Sequence, residues 1–285
     1  RKIGSDLALA LRFAGRLRSD WLLQSDADVV FPAGYTDLLH QNPVHNSAGA
    51  RIFPHSHYSS DPTLHYAGQL YDQHMSYYVA GLAMAGSRYA HHSLGSTIAV
   101  HAKSYAAVRG YPKRSAGEDF YLLNKVRKLA PIEPLRGPIL SIEARTSARV
   151  PFGTGPALRK IVESLATDPS GGSYLSYHPA CFSLLGRALS ALNQWADDPR
   201  QAIHFDVSRR LSALGFDGFA GGLSKQQISP KQRHRCVHDW FDGLKTLQFI
   251  HACQETHADQ SLTRTLANLE SAFRSKVFEF KTNSG

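Results

Sequence analysis

Ser19-Asp-Trp-Leu-Leu-Gln-Ser-Asp-Ala-Asp-Val-Val-Phe-Pro32 is the stretch on which the reading of this chain turns. Trp21 to Gln24 has the look of a buried strand. It runs into Asp26-Ala27-Asp28 and stops at Pro32. Two carboxylates one residue apart at the carboxyl end of a strand are expected on the same side of the pleat. In an open α/β sheet that edge is where ligands bind. Like charges this close repel, so the fold needs a reason to keep both. A divalent cation supplies one, because hard carboxylate oxygens suit Mg²⁺ or Mn²⁺. A solvated turn with two acids is the plainer alternative, since Asp is common after strands.

Upstream, Lys2 to Leu17 is expected as a helix with Ile3, Leu7, Leu11 and Ala14 at helical spacing, widened by Leu9 and Phe13. Downstream, Tyr35 to His40 suggests a short helix and Ser47 to Phe53 a second strand. A loop carrying His55 and His57 follows. Asp61-Pro62 has the form of an N-cap and first helical position, opening a helix through Tyr66, Leu70, Met75 and Tyr78 toward Met84. Leu94 to His101 is expected as a strand whose continuous apolar centre implies burial on both faces. Lys103 to Arg109 is expected as a helix closed by Gly110. Glu118 and Asp119 then open a helix from Phe120 to Leu129, where acids face the positive end of the dipole. Ile132 to Leu135 and Ile139 to Ile142 are short strand candidates. Arg145 to Gly155 is a basic loop with two glycines.

Beyond Pro156 the pattern changes. Strand-like runs give way to helical ones at Ala157 to Ala166, Ala180 to Trp195, Ile203 to Leu214, Arg233 to Ala252 and Ser261 to Phe278. Gly171-Gly172 and Gly218 to Gly222 are expected to punctuate them. The expectation is an α/β domain over residues 1–155 and a mainly helical region over residues 156–285.

The bulk composition is that of a globular chain. Its 285 residues are 42% hydrophobic and 19% charged. A net charge of +9 implies acidic partners such as nucleotide phosphates, nucleic acid or an anionic membrane face. The three cysteines, Cys181, Cys236 and Cys253, are far apart and form no CxxC pair. Neither a zinc knuckle nor a disulfide framework is indicated, and a reducing compartment is the simpler expectation. No apolar run approaches the ~20 residues of a membrane span, so no transmembrane segment is expected. No signal peptide is visible.

Three pieces stand in a fixed order: Asp26-Ala27-Asp28 after a strand, then Gly95-Ser96-Thr97, then Gly110-Tyr111 with Gly117-Glu118-Asp119 opening a helix. That order resembles the family 2 glycosyltransferases with the GT-A fold, over roughly the first half of the chain, and Arg1 to Leu11 looks like the helix before that family's DxD strand. The resemblance implies a GT-A-like, partial Rossmann-like mixed sheet followed by the helical region. It implies a nucleotide-diphosphate sugar as donor and a hydroxyl acceptor on a saccharide, lipid or small molecule. Asp28, helped by Asp26, would hold Mn²⁺ or Mg²⁺ against the diphosphate. Asp119 matches the general base, with Glu118 as its neighbour shaping the site. Gly95, Ser96 and Thr97 match a substrate-binding segment. Arg149, with Arg145, lies where relatives carry a basic loop over the diphosphate.

The resemblance also places Arg1 after the strands that hold the nucleotide base and ribose. Those elements are expected to lie outside this chain. The membrane spans of processive relatives and their QxxRW signature are absent, which points to non-processive transfer. A cytoplasmic setting is expected, free or peripheral to the inner face of a membrane.

Several features also have plainer explanations. Glu118 and Asp119 fit ordinary helix N-terminal acids. Arg149 fits a simple capping or salt-bridging role. His55, His57, His91 and His92 invite a zinc reading, but HxH and HH pairs without a third ligand at a known spacing favour a solvated loop. Tyr66, Tyr71, Tyr77 and Tyr78 suit helix packing better than a sugar platform. Asp26-Ala-Asp28-Val-Val30 also fits the nucleophile loop of a haloacid-dehalogenase-like phosphatase. That chemistry needs a later acidic pair after a strand, and Asp197-Asp198 follows a helical pattern. A non-catalytic basic binding module and an inactive transferase fragment are the remaining alternatives. No nucleic-acid motif or interleaved aromatic-basic array is present, so no specific nucleic-acid partner is expected.

Overall fold

The computed structural model describes residues 1–40, 47–114, 116–147 and 153–268. The chain is mixed α/β, and it packs as two compact units. The first comprises Arg1–Gln73 and His91–Pro169. The second comprises His74–Ala90 and the described residues from Ser170 onward. The expected division fell after Gly155. In the structure the helix that follows Gly153 packs with the first unit instead.

In the first unit, α1 is Lys2–Phe13 and β1 is Trp21–Leu23. After β2, Val29–Val30, a 3₁₀ turn at Tyr35–Leu39 leads to β3, Ala50–Ile52, and β4, His55–Tyr58. Helix α2, Pro62–Met84, begins in this unit. Then come β5, Ile98–His101, α3, Ala102–Ala107, and α4, Glu118–Leu129. β6, Ile132–Pro134, β7, Leu140–Glu143, and α5, Thr154–Leu165, complete it.

A four-stranded sheet runs in the order β1-β5-β3-β6. β5 is antiparallel to both neighbours, and β3 and β6 are parallel. A three-stranded sheet runs β2-β7-β4, with β2 antiparallel and β4 parallel to β7. Strand β5 is buried on both faces, as its apolar run implies. Ile98 and Val100 pack with Leu22, Ala50 and Ile52 against Tyr105 of α3 and Leu122, Leu123 and Val126 of α4. Ala99 turns the other way, onto Leu38, Leu39, Phe53 and Leu140. This sandwiching fixes the ends of β1, β5 and α4, from which the candidate site is built.

Four local expectations are corrected here. Gly95-Ser96-Thr97 is a 3₁₀ turn before β5, not strand. The Thr97 N–H and hydroxyl both donate to the Leu94 carbonyl, at 3.0 and 2.9 Å, and close the turn. His55 and His57 lie in strand β4, not in a solvated loop. Its ladder partner β7 supplies the backbone hydrogen bonds a loop would take from water. In α1 the stripe through Ile3 and Leu7 does not face the core, and Ile3 is 87% exposed. Ala8 and Leu9 make the core contact. Polar ties hold the rest: Gln24 donates to the Ser5 hydroxyl at 2.6 Å, and the Tyr105 hydroxyl to Asp6 at 2.8 Å. Finally, Asp26-Ala27-Asp28 occupies the turn between β1 and β2, so its carboxylates are not set by a pleat.

The second unit is mainly helical, and α6, Pro179–Asp197, is its axis. Around it stand α7, Phe205–Ala213, α8, Phe216–Ser224, α9, Pro230–Trp240, and α10, Gly243–Cys253. Strands are not wholly absent: β8, Leu175–Ser176, pairs with β9, Gln260–Ser261. Gly218 to Gly222 lie within α8 rather than punctuating the chain. The single helix expected from Arg233 to Ala252 is broken in two. Asp242 accepts from the N–H groups of Leu244 and Lys245 and so starts a new helix. Residues 269–278, expected as helix, lie outside the described residues. Among the described residues no helix is long and apolar enough to cross a membrane.

Candidate active site

Three segments far apart in sequence meet around one guanidinium. Nη2 of Arg1 pairs with Asp26 Oδ2, in the turn after β1. Nη1 of Arg1 donates to Glu118 Oε1 at 2.8 Å and lies 3.6 Å from Asp119 Oδ2, both in the first turn of α4. The Ser96 hydroxyl donates to Asp26 Oδ2 at 2.6 Å. Gly95 forms a wall of the same place: a Cβ there would stand 2.0 Å from Arg1 Nη1.

Local chain physics sets each of these groups. Gly117 takes a φ of +69°, a left-handed conformation glycine adopts without strain, and so turns the chain into α4. Asp119 folds back so that Oδ1 accepts from the Phe120 N–H at 2.7 Å. The 3₁₀ turn at Gly95–Thr97 aims the Ser96 hydroxyl at Asp26 while the Thr97 hydroxyl closes the turn.

The electrostatics follow from burial. Loss of solvent raises the Asp119 carboxyl above its usual range; the Phe120 N–H opposes this, Glu118 adds to it, and Arg1 opposes it. For Arg1, burial alone would lower the guanidinium, but Asp26, Asp119 and Glu118 outweigh it and hold the pKa above its ordinary value. Among the described residues the buried Tyr111 hydroxyl has no hydrogen-bond partner. Burial pushes this phenol upward, and Arg1, Asp119 and Glu118 are its charged neighbours.

The second acid of the Asp26-Ala27-Asp28 turn goes elsewhere. Asp28 pairs with Arg145, whose side chain is 64% exposed. So Asp26, Gly95, Ser96, Glu118 and Asp119 are brought together. Asp28 and Arg145 form a separate pair, and Thr97 serves its own turn. Arg149 lies outside the described residues. Among the described residues no three His, Cys, Asp or Glu side chains are grouped to hold a metal. Hard oxygens are nevertheless present at Asp26 and Asp28, each balanced here by an arginine.

Arg1 and Tyr111 were not among the sequence-derived site residues. Arg1 is fixed by contacts between distant segments, which no local sequence pattern signals. The histidines assemble separately. His57 is buried, its N–H donates to Asp72 Oδ2 at 2.7 Å, and its Nδ1 lies 2.6 Å from Asp72 Oδ1. The His55 and His92 rings are 5.0 Å apart. Tyr77, of the tyrosine group, is buried and donates to the Tyr177 carbonyl at 2.8 Å, a packing role.

Compared with known proteins, the chain matches no family model, no curated protein and no solved structure.

Proposed function

We propose that this chain carries the catalytic site of an inverting, metal-dependent glycosyltransferase of the GT-A type. It moves a sugar from a nucleotide-diphosphate donor to a hydroxyl acceptor, in the cytoplasm or at a membrane's inner face. The observation that carries the reading is the convergence of Asp26, Gly95-Ser96 and Glu118-Asp119. These motifs are separated by about 70 and 20 residues of chain, yet side chains from all of them surround one point.

The roles follow from the chemistry. Asp119 accepts the acceptor's hydroxyl proton as that oxygen attacks the anomeric carbon and the bond to the diphosphate breaks. Its raised pKa brings it nearer the working pH of a general base. Ser96 fixes the orientation of Asp26. Asp28, helped by Asp26, would hold Mg²⁺ or Mn²⁺, which when bound would supply positive charge against the leaving diphosphate. Arg145, solvent-exposed beside Asp28, has donors suited to phosphate oxygens. Arg149 is assigned to the same phosphate loop on the resemblance alone.

Calorimetric titration of UDP and GDP, with Mn²⁺ and with EDTA, tests the reading. Binding that requires the metal is expected. Binding of equal strength in EDTA, or its persistence in Asp28→Ala, would count against it.

A further inference from the structure

Tyr105 and Tyr111 are buried side by side in the first unit, with ring centres 5.9 Å apart, but their hydroxyls differ. The Tyr105 hydroxyl donates to Asp6 at 2.8 Å. Among the described residues the Tyr111 hydroxyl has no partner. The Tyr111 ring belongs to the core cluster of Tyr105, Leu122, Leu123 and Val126. Phenylalanine would fill that place as well and spare the fold a buried, unpaired hydroxyl. A buried polar group without a partner needs a reason, and such breaches of local rules gather at functional sites.

The surroundings supply one. Gly110 has a φ of +68°, and a Cβ there would stand 2.8 Å from the Tyr105 ring and hydroxyl. Glycine thus lets the chain pass Tyr105 and set Tyr111 in place. Asp119 and Glu118, in the first turn of α4, are among the charged neighbours of the Tyr111 hydroxyl. Asp119 Oδ1 is engaged by the Phe120 N–H at 2.7 Å, whereas Oδ2 stands 3.6 Å from Arg1 Nη1, beyond hydrogen-bond length. Burial raises the Tyr111 phenol, so it stays protonated and has a proton to donate, while Asp119 has an oxygen to accept one. An anion would be repelled by the acids, and an ammonium has no lone pair for Tyr111. An alcohol meets both groups with a single oxygen. Three carboxylates in one cluster, of Asp26, Glu118 and Asp119, further suit a ligand with several hydroxyls.

We propose that Tyr111 is a substrate-binding residue for a saccharide acceptor: its hydroxyl donates to the oxygen of the attacking alcohol, whose proton faces Asp119. The inference rests on the transferase reading and names the acceptor side of that site.

The test compares the wild-type chain with Tyr111→Phe and Tyr105→Phe. Urea unfolding without ligand comes first. Tyr105→Phe loses a satisfied hydrogen bond and should be less stable than wild type, while Tyr111→Phe should equal or exceed wild type. Methyl glycosides of glucose, galactose and mannose are then titrated and followed by saturation-transfer NMR. The wild-type chain should bind at least one of them, Tyr105→Phe should bind it equally, and Tyr111→Phe about tenfold more weakly. Deoxy forms of that glycoside locate the contact. Loss of the contacted hydroxyl should weaken binding to wild type by a similar factor and to Tyr111→Phe hardly at all, so the two losses do not add.

A Tyr111→Phe variant that fails to fold, or is destabilised as much as Tyr105→Phe, would show that the hydroxyl serves the fold and would overturn the proposal. So would unchanged glycoside binding in Tyr111→Phe, additive losses for every deoxy form, or no glycoside binding to wild type. In each of these cases metal-dependent UDP binding would leave the transferase reading standing. Glycoside binding that depends on Tyr111, without any UDP binding, would uphold the saccharide site and count against the transferase reading.

Discussion

Arg1 Nη1 donates to Glu118 Oε1 at 2.8 Å and bridges residues 117 apart in sequence. The bond joins the N-cap of one helix to the first turn of another. Glu118 and Asp119 stand side by side in the first turn of α4 and repel each other. The Arg1 guanidinium offsets that repulsion, and burial still leaves the Asp119 carboxyl raised.

Asp119 should therefore limit stability where it is ionised. Its folded pKa is raised, so the folded state holds the proton more tightly than the unfolded state. Between the ordinary carboxylate pKa and the raised one, folding takes up protons, and stability falls as pH rises through that window. Asp119→Asn has no such titration. Its melting temperature relative to wild type should climb as pH rises above the ordinary carboxylate pKa, and on the proposed transferase reading it should lose sugar transfer. A constant difference across that range would contradict the stated environment. Undiminished turnover would remove Asp119 as the base.

The histidine cluster gives the opposite sign. Burial lowers the His55 pKa to about 4, with His92 adding, Asp72 opposing, His57 adding and the Phe53 carbonyl opposing. The folded state thus resists protonation that the unfolded chain accepts near its ordinary value. Stability is retained above that value and lost as pH falls toward about 4. A His55→Gln variant should lose less of its melting temperature between pH 7 and pH 4.5 than wild type. The proton resonance of the His55 ring should stay at its neutral position down to about pH 5. A midpoint near the ordinary histidine value in that titration would refute the burial.

How far all this was legible in the sequence depends on the kind of signal. The β5 run Ile98 to His101 and the long helix α2 were readable because hydrophobic period and a Pro62 start act locally. The motif order singled out Asp26, Ser96, Glu118 and Asp119, and these side chains do lie together. What it could not convey was Arg1, which takes its place through tertiary contacts to Asp26 and Glu118. The Asp26-Ala27-Asp28 spacing suggested a shared pleat. The strand in fact ends at Leu23, so alternation never reaches those residues. His55 and His57 appeared polar enough for a loop. Strand pairing to β7 and the Asp72 carboxylate, 15 residues on, overrode composition. The break before α10 was written locally, as Asp242-Gly243, but the longer helical period masked it.

Asp72 has a structural duty that can be isolated. Its two oxygens take the backbone N–H and the Nδ1 side of His57, whose side chain is 1% exposed. Asp72→Ala leaves a buried donor without its acceptor, at a cost of about 1–3 kcal/mol. Asp72→Asn, which keeps an acceptor oxygen, should lose less. Thermal melting of the two variants checks the order. Equal losses would mean that the contact contributes packing and not hydrogen bonding.

The pair Arg51–Glu133 lies across adjacent strands β3 and β6, which are parallel neighbours in register. Arg51 Nε donates to Glu133 Oε2 at 3.0 Å, and the two side chains are 4% and 7% exposed. Arg51 also donates to the Leu39 carbonyl and stands 4.7 Å from the centre of the Trp21 ring. The pair thus joins the sheet edge to the turn beneath it. Removing the charge of one partner strands the other in a site that water does not reach. Glu133→Gln should therefore destabilise the first unit by about 3–5 kcal/mol, far beyond an exposed ion pair. Replacing both partners with apolar residues of similar size, Arg51→Met with Glu133→Leu, should recover most of that loss, because desolvation of both charges is then avoided. Urea unfolding of wild type, the single variant and the double variant measures the difference. A double variant no more stable than Glu133→Gln would show that the Leu39 and Trp21 contacts of Arg51, not the buried charge pair, carry the stability of this edge.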